Sequence, residues 1–271
     1  MPLRPHKAAL EALYDRYTRP EFIDPDPLVF LHDYPNVQDR EIVALVASSL
    51  AYGRVAQICK SVARVLERMG EPARFLERSS RESLDATFAD FKHRFTTGPE
   101  LAALLYGAKR VIERDGALGA CFAASLSASD ETVQPALAAF VDTIEQLAGR
   151  EFGHLLPSPV RGSACKRLNL FVRWMVRRDD VDLGGWDAAL AAKLVVPLDT
   201  HMHRIGLAFG LTKRRQTDWR TAIEITDAFR KIAPEDPVRY DFALTRLGIR
   251  ADADIDAFLR ACGRTDRQHH A

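Results

Sequence analysis

Apolar residues recur at intervals of three and four along most of the chain, and runs of β-branched residues in two-residue alternation are missing. That pattern predicts helices and leaves little from which to build a sheet. Ile42, Val43, Leu45, Val46, Ser49 and Leu50 form one stripe, with Asn36 and Asp39 as start signals. Val55, Ile58, Val62, Val65 and Leu66 form a second that closes at Gly70, and Gly53 between the two reads as a tight turn. Two further helices are predicted over Leu101 to Ile112, ending near Gly116, and over Leu137 to Leu147, ending at Gly149. Pro157-Ser158-Pro159 breaks the chain. A helix apolar on most sides (Leu168, Leu170, Phe171, Val172, Trp174, Met175) follows, a composition expected of a central helix. Asp179 to Gly185 reads as a polar connector and Trp186 to Leu194 as a short helix. Asp199 caps the next helix, which Gly210 ends; Trp219 to Lys231 and Val238 to Leu247 complete the set.

Composition is that of an ordinary globular chain: 271 residues, 47% apolar and 28% charged, enough to bury a substantial core. A formal charge of +1 excludes a basic coat but leaves room for local patches. Cys59, Cys121, Cys165 and Cys262 lie far apart, which argues against a zinc ribbon, an iron–sulfur cluster or a disulfide framework. No apolar run is long enough to span a membrane, and the Met1-Pro2-Leu3-Arg4 start lacks a signal-peptide core. The expectation is a soluble, monomeric, cytoplasmic protein associated with the nucleoid, with neither membrane nor cofactor.

Chemistry concentrates in two segments. In Gly162-Ser163-Ala164-Cys165-Lys166-Arg167-Leu168-Asn169, Ser163 is placed to cap a helix with Lys166 in its first turn. A helix N-terminus carries partial positive charge, a setting that disfavours an ammonium over the nucleophilic free amine. In Leu198-Asp199-Thr200-His201-Met202-His203-Arg204, a capping Asp199 would be rigidly aimed by backbone N–H groups. His201 and His203 stand two apart and face different ways on a helix, so no metal site is expected. His201 and Arg204, three apart, are placed to meet a phosphate, and Arg161, Gly162 and Ser163 are candidates for another. Between Val160 and Arg178 stand Arg161, Lys166, Arg167, Arg173, Arg177 and Arg178 with no acidic residue, and Lys213-Arg214-Arg215 follow the Asp199 helix. Tyr52, at the Tyr52-Gly53-Arg54 turn, is the aromatic placed for insertion into DNA.

These segments resemble the helix-hairpin-helix DNA glycosylase superfamily, to which endonuclease III and the 8-oxoguanine glycosylases belong. Lys166-Arg167-Leu168-Asn169 is similar to the family's Lys-Thr-Ala-Asn, and Leu198-Asp199-Thr200-His201 to its Val-Asp-Thr-His. Ser49-Leu50-Ala51-Tyr52-Gly53-Arg54 resembles the turn that inserts beside a flipped nucleotide, and Asp241 to Ile249 the closing helix. The family's Leu-Pro-Gly-Val-Gly hairpin is replaced by Pro157-Ser158-Pro159-Val160-Arg161-Gly162-Ser163. The gap from Lys166 to Asp199 is long, as in the archaeal 8-oxoguanine glycosylase branch. The chain is also similar to an uncharacterised bacterial family of this length, a domain of unknown function. The resemblance covers about residues 36–250. It implies an all-α, two-lobed domain over 1–262, with a helical barrel lobe about 38–178, a second lobe from the N-terminal segment plus about 179–262, and a flexible 263–271 tail. It further implies excision of a damaged base, 8-oxoguanine or another oxidised base, from double-stranded DNA with β-lyase activity. Lys166 and Asp199 would be catalytic, Tyr52, Gly53 and Arg54 would fill the lesion gap, and no iron–sulfur cluster is implied. Two alternatives stay open: a monofunctional alkylbase glycosylase using Asp199 only, and a catalytically inactive nucleic-acid-binding protein.

Overall fold

The computed structural model describes residues 7–249 and Phe258, and the architecture is all-α. Helix α1 (Lys7–Tyr17) is followed by two 3-10 turns, α2 (Val37–Ser49), α3 (Val55–Met69), α4 (Pro72–Arg78) and α5 (Arg81–Thr87). A two-stranded antiparallel hairpin, β1 (Lys92–His93) and β2 (Thr96–Thr97), precedes α6 (Gly98–Asp115), α7 (Leu118–Ala124) and α8 (Gln134–Ala148). The chain then runs through α9 (Lys166–Val176), α10 (Thr200–Ala208), α11 (Trp219–Arg230) and α12 (Asp241–Ile249).

The start and stop signals act where the spacing places them. Asn36 Oδ1 accepts from Gln38 N at 2.8 Å to open α2, and α3, α6 and α8 end at Gly70, Gly116 and Gly149. Helix α2 is buried on every side from Arg40 to Ser49 and packs against α9, itself buried from Leu168 to Val176 except for Leu170. With α6 packed on α8, these helices form the apolar centre. At the other end α1 lies against α12, bringing the N-terminal segment to the last described helix.

Three details depart from the sequence reading. The expected helix over Trp186 to Leu194 is a 3-10 turn, Ala188–Lys193, capped by Asp187. The segment 179–185 is more than a polar connector, since Asp182 within it is fully buried between two arginines. The β1–β2 hairpin has no signal in the apolar pattern, because two residues per strand are too few to show alternation. Cys262 and the 263–271 tail lie outside the described residues.

Candidate functional site

Helix α9 opens at Lys166, not at Ser163. Cys165 is the residue before it and holds a left-handed φ of 47°. Ser163 Oγ accepts from Cys165 N at 3.2 Å, so the serine shapes the turn entering the helix rather than capping it. No side chain caps α9, whose first residue is Lys166. A non-glycine residue in this backbone region costs on the order of 1 kcal/mol or more, and such residues gather at functional sites. Among the described residues only Cys165 and Arg94 adopt it, and both flank the same pocket. The Cys165 thiol donates to Pro157 O at 3.1 Å, and burial pushes its pKa up to about 11, so it stays neutral and is no nucleophile.

Asp199 divides its two oxygens between structure and chemistry. Oδ1 accepts from Met202 N at 2.8 Å as the N-cap of α10, while Oδ2 lies 3.1 Å from Lys166 Nζ. Both side chains keep partial access to solvent. Lysine and aspartate therefore meet as an ion pair fixed by two helix starts, at the wall of a cavity of about 440 Å³. Larger clefts exist elsewhere, of about 560, 590 and 650 Å³, but none of them joins residues from both chemical segments.

The cavity wall combines Ala51, Tyr52, Gly53, Val55 and Ile58 from the α2–α3 turn with Lys166, Arg167, Leu170 and Arg173 of α9. Pro197, Asp199 and His201 come from the start of α10, Asp241, Phe242, Thr245 and Arg246 from α12, and Asp26 and Pro27 from the N-terminal segment. Asp241 is buried and accepts from Arg173 Nη1 at 2.6 Å. Burial, reinforced by the charges of Asp199 and Asp182 and only partly countered by Arg173, pushes its carboxyl up to about 6. Arg173 also holds Asp182 through two bonds of 3.0 and 2.9 Å, and Arg177 binds Asp182, Asp179 and Asp236.

At the rim, Tyr52 is tied down. Its hydroxyl donates to His93 O at 2.8 Å, lies 2.7 Å from Thr96 Oγ1, and accepts from Thr96 N at 3.2 Å. The turn needs glycine at 53: its φ is 102°, and a Cβ there would sit 2.8 Å from the Arg94 side chain. Arg167 covers the Tyr52 ring at 4.8 Å and donates to two carbonyls, Ser49 O at 2.6 Å and His154 O. Burial lowers the pKa of this guanidinium from its ordinary value, and it has no carboxylate within salt-bridge reach among the described residues.

The sequence-selected residues divide into two groups. Lys166, Asp199, His201, Tyr52 and Gly53 share the cavity wall. Arg161 does not join them: it pairs with Glu151 at 3.1 Å and Glu145 at 3.9 Å on the surface. Gly162 O accepts from Trp219 N and Ser163 bridges to Asp218, so this loop is bound to the start of α11. Arg204 and Arg54 are exposed, and His203 Nε2 lies 2.8 Å from Arg214 O. The basic run Val160 to Arg178 likewise disperses, because Arg173 and Arg177 are inside, in ion pairs. Arg167 and Asp241 are the contributors that the motifs alone did not single out. Arg167 had one signal, its place beside Lys166 in an acid-free run; Asp241 had none, since its partner lies 68 residues away.

Among the described residues no group of three or more His, Cys, Asp or Glu is placed to hold a metal ion. No helix among them is long and apolar enough to cross a membrane. No curated protein and no solved structure matches the chain. Residues 26–250, which include every wall residue of the cavity, match the family described as "Protein of unknown function (DUF2400)", and over that span, most of its length, the chain belongs to this family.

Proposed function

We propose that this protein is a DNA base-excision glycosylase with associated β-lyase activity, acting on 8-oxoguanine or another oxidised base. The observation that carries the reading is the 3.1 Å approach of Lys166 Nζ to Asp199 Oδ2 at the wall of a cavity large enough for a nucleobase. Asp199 takes a proton from the lysine, leaving a free amine whose lone pair attacks C1′ of the deoxyribose. The C1′–N bond breaks as the C1′–Nζ bond forms, and the base leaves with a proton. Nζ then loses its remaining proton as the C1′–O4′ bond opens and O4′ takes up a proton, giving an imine that acidifies C2′, and loss of a C2′ proton expels the 3′ phosphate by β-elimination. A base must first leave the duplex to reach the lysine, which fits a pocket recessed between helices.

Arg167 supports the same reading, being a half-buried cation with no carboxylate within salt-bridge reach among the described residues, at the wall of an otherwise ion-paired cavity. It and the uncapped start of α9 offer positive charge to a phosphate beside the scissile sugar. The fold would then be of the helix-hairpin-helix glycosylase type, with Pro157 to Ser163 as a degenerate hairpin.

The test is borohydride trapping on duplexes carrying 8-oxoguanine, an abasic site or no lesion. Wild type should form a covalent adduct with the first two, and Lys166→Gln with none while still binding DNA. An adduct with the abasic duplex alone would keep the lyase and remove 8-oxoguanine as substrate. No adduct with either would overturn the lysine mechanism.

A further inference from the structure

The β1–β2 hairpin is held with more polar contacts than its four strand residues need for themselves. A ribbon this short is not stable alone, and here it is pinned from beneath. His93 is fully buried, with Nδ1 2.9 Å from Ser61 Oγ and Nε2 3.1 Å from Tyr52 O. Burial lowers its pKa, which keeps the imidazole neutral. Thr96, also fully buried, meets the Tyr52 hydroxyl through both its backbone amide and its side chain.

What this framework presents is the two-residue tip. Arg94 holds a left-handed φ of 51°, and its guanidinium lies 5.9 Å from the Tyr52 ring centroid and 5.3 Å from that of Phe95. Phe95 is 68% exposed, the one aromatic among the mainly exposed large apolar side chains of the described residues. Its ring is parallel to Tyr52 within 3° at 6.5 Å between centroids and stands edge-on to His154. An exposed phenyl costs solvation free energy, and a strained arginine beside it adds to that cost. Lys92, Arg94, Arg54 and Arg167 bring positive charge here and outnumber the nearby carboxylates, Asp90, held by Arg64 and Arg68, and Glu100, held by Thr97 and Arg150. An aromatic face among guanidinium groups repels cationic ligands and suits a flat, electron-rich ring attached to a phosphate.

We propose that Phe95, with Arg94 at its side, is a stacking platform for an unpaired nucleobase next to the Lys166 pocket, so that the protein prefers DNA containing an unstacked base over intact duplex. The proposal rests on the nucleic-acid reading above and adds to it a recognition element outside the cavity wall. Tyr52 is the pillar of this platform, and Phe95 is the ring that meets the base.

The experiment uses the full chain and three DNA probes at one salt concentration: a paired duplex, the same duplex with a single bulged 2-aminopurine, and the corresponding single strand. Affinity is read by anisotropy and stacking by quenching of 2-aminopurine. Phe95→Ala should weaken binding to the bulged and single-stranded probes about tenfold or more and abolish the quenching, with paired duplex changed less than about twofold. Phe95→Trp should preserve both signals. Because Phe95 is exposed, an unchanged melting temperature of the variant excludes misfolding. Equal weakening on all three probes, or none on any, overturns the platform. If that happens while wild type still traps a lesion adduct, the glycosylase reading stands without it. Phe95-dependent quenching with no adduct would keep the platform and overturn the lysine chemistry, and absence of binding to every probe overturns both.

Discussion

Asp241 shows how far a residue's chemistry can depart from its sequence label. It opens α12, where an aspartate reads as a helix-start residue. Its side chain is enclosed, shares Arg173 with Asp182, and feels the charge of Asp199. With a folded value near 6 against an ordinary 3.8, the native state keeps a proton that the unfolded chain releases between those values. Stability contributed by this group is therefore greatest in acid and is lost as pH rises through about 6, opposite to a salt-bridged surface carboxylate. Wild type should lose on the order of 2–3 kcal/mol relative to Asp241→Asn between pH 4 and pH 7, because the folded and unfolded values lie roughly two pH units apart and each is worth about 1.36 kcal/mol. Urea denaturation of both proteins at the two pH values measures this as a double difference. A difference independent of pH would show that Asp241 does not titrate in this window. The meeting of Lys166 and Asp199 was legible from the sequence because each position depends on a neighbouring helix start. Asp241 was not, because its role depends on residues 42 to 68 positions away in the chain.

At the scale of elements, helix boundaries were readable because apolar spacing and end signals are local, and α3, α6 and α8 close at the glycines that the pattern marks. The hairpin was not, since its stability comes from Tyr52, His93 and Ser61, brought together by the packing of α3 rather than by strand propensity. Two variants separate structural from chemical duties here. Asp199→Asn retains an oxygen to accept from Met202 N, so α10 keeps its cap while the lysine loses its counter-charge. Trapping should disappear with stability nearly unchanged. Asp199→Ala removes the cap as well and should cost about a further 1 kcal/mol in thermal or urea unfolding. Equal destabilisation by both would assign Asp199 a structural role through the ion pair. Tyr52→Phe removes the hydroxyl on which the hairpin hangs, taking the acceptor from Thr96 N and the side-chain donor from His93 O and leaving Thr96 Oγ1 only His154 Nε2 at 3.3 Å. A cost of about 1–3 kcal/mol is expected. Hydrogen exchange should show the Lys92 to Thr97 amides opening faster, and binding to bulged DNA should weaken although Phe95 is intact. Unaltered exchange there would mean that His93 and Ser61 suffice to hold the tip.

At the scale of the whole molecule, the cavity exists because segments far apart in sequence converge on it, and buried ion pairs join them. Arg173 and Arg177 of α9 and the residue after it grasp Asp182 just downstream, Asp241 on α12, and Asp236 before it. Arg246 of α12 reaches back to Asp26 at 2.6 Å and to Phe22 O at 3.1 Å, while Arg239 and Tyr240 hold Glu11 of α1. Two of the six basic residues in the run that suggested a nucleic-acid surface, Arg173 and Arg177, are thus internal fasteners. Sequence reading missed this because an arginine-rich stretch carries no label for which faces are inside until the partner carboxylates are placed. The two kinds of fastener should differ sharply in energy. Asp182 has no solvent exposure and serves two enclosed guanidinium groups, so Asp182→Asn leaves Arg173 with Asp241 alone and Arg177 with Asp179 and Asp236, and should cost about 3 kcal/mol. Glu11→Gln breaks a pair about one-third exposed at both ends and should cost no more than about 1 kcal/mol. Denaturant unfolding of both variants checks the ranking, and DNA binding adds a second criterion. Arg173 lines the cavity, so partial loosening by Asp182→Asn should weaken binding of bulged DNA under conditions where the variant remains folded. If Asp182→Asn were as mild as Glu11→Gln, the network would be incidental to the fold, and the alignment of α9 with α12 that shapes the pocket would have to come from apolar packing alone.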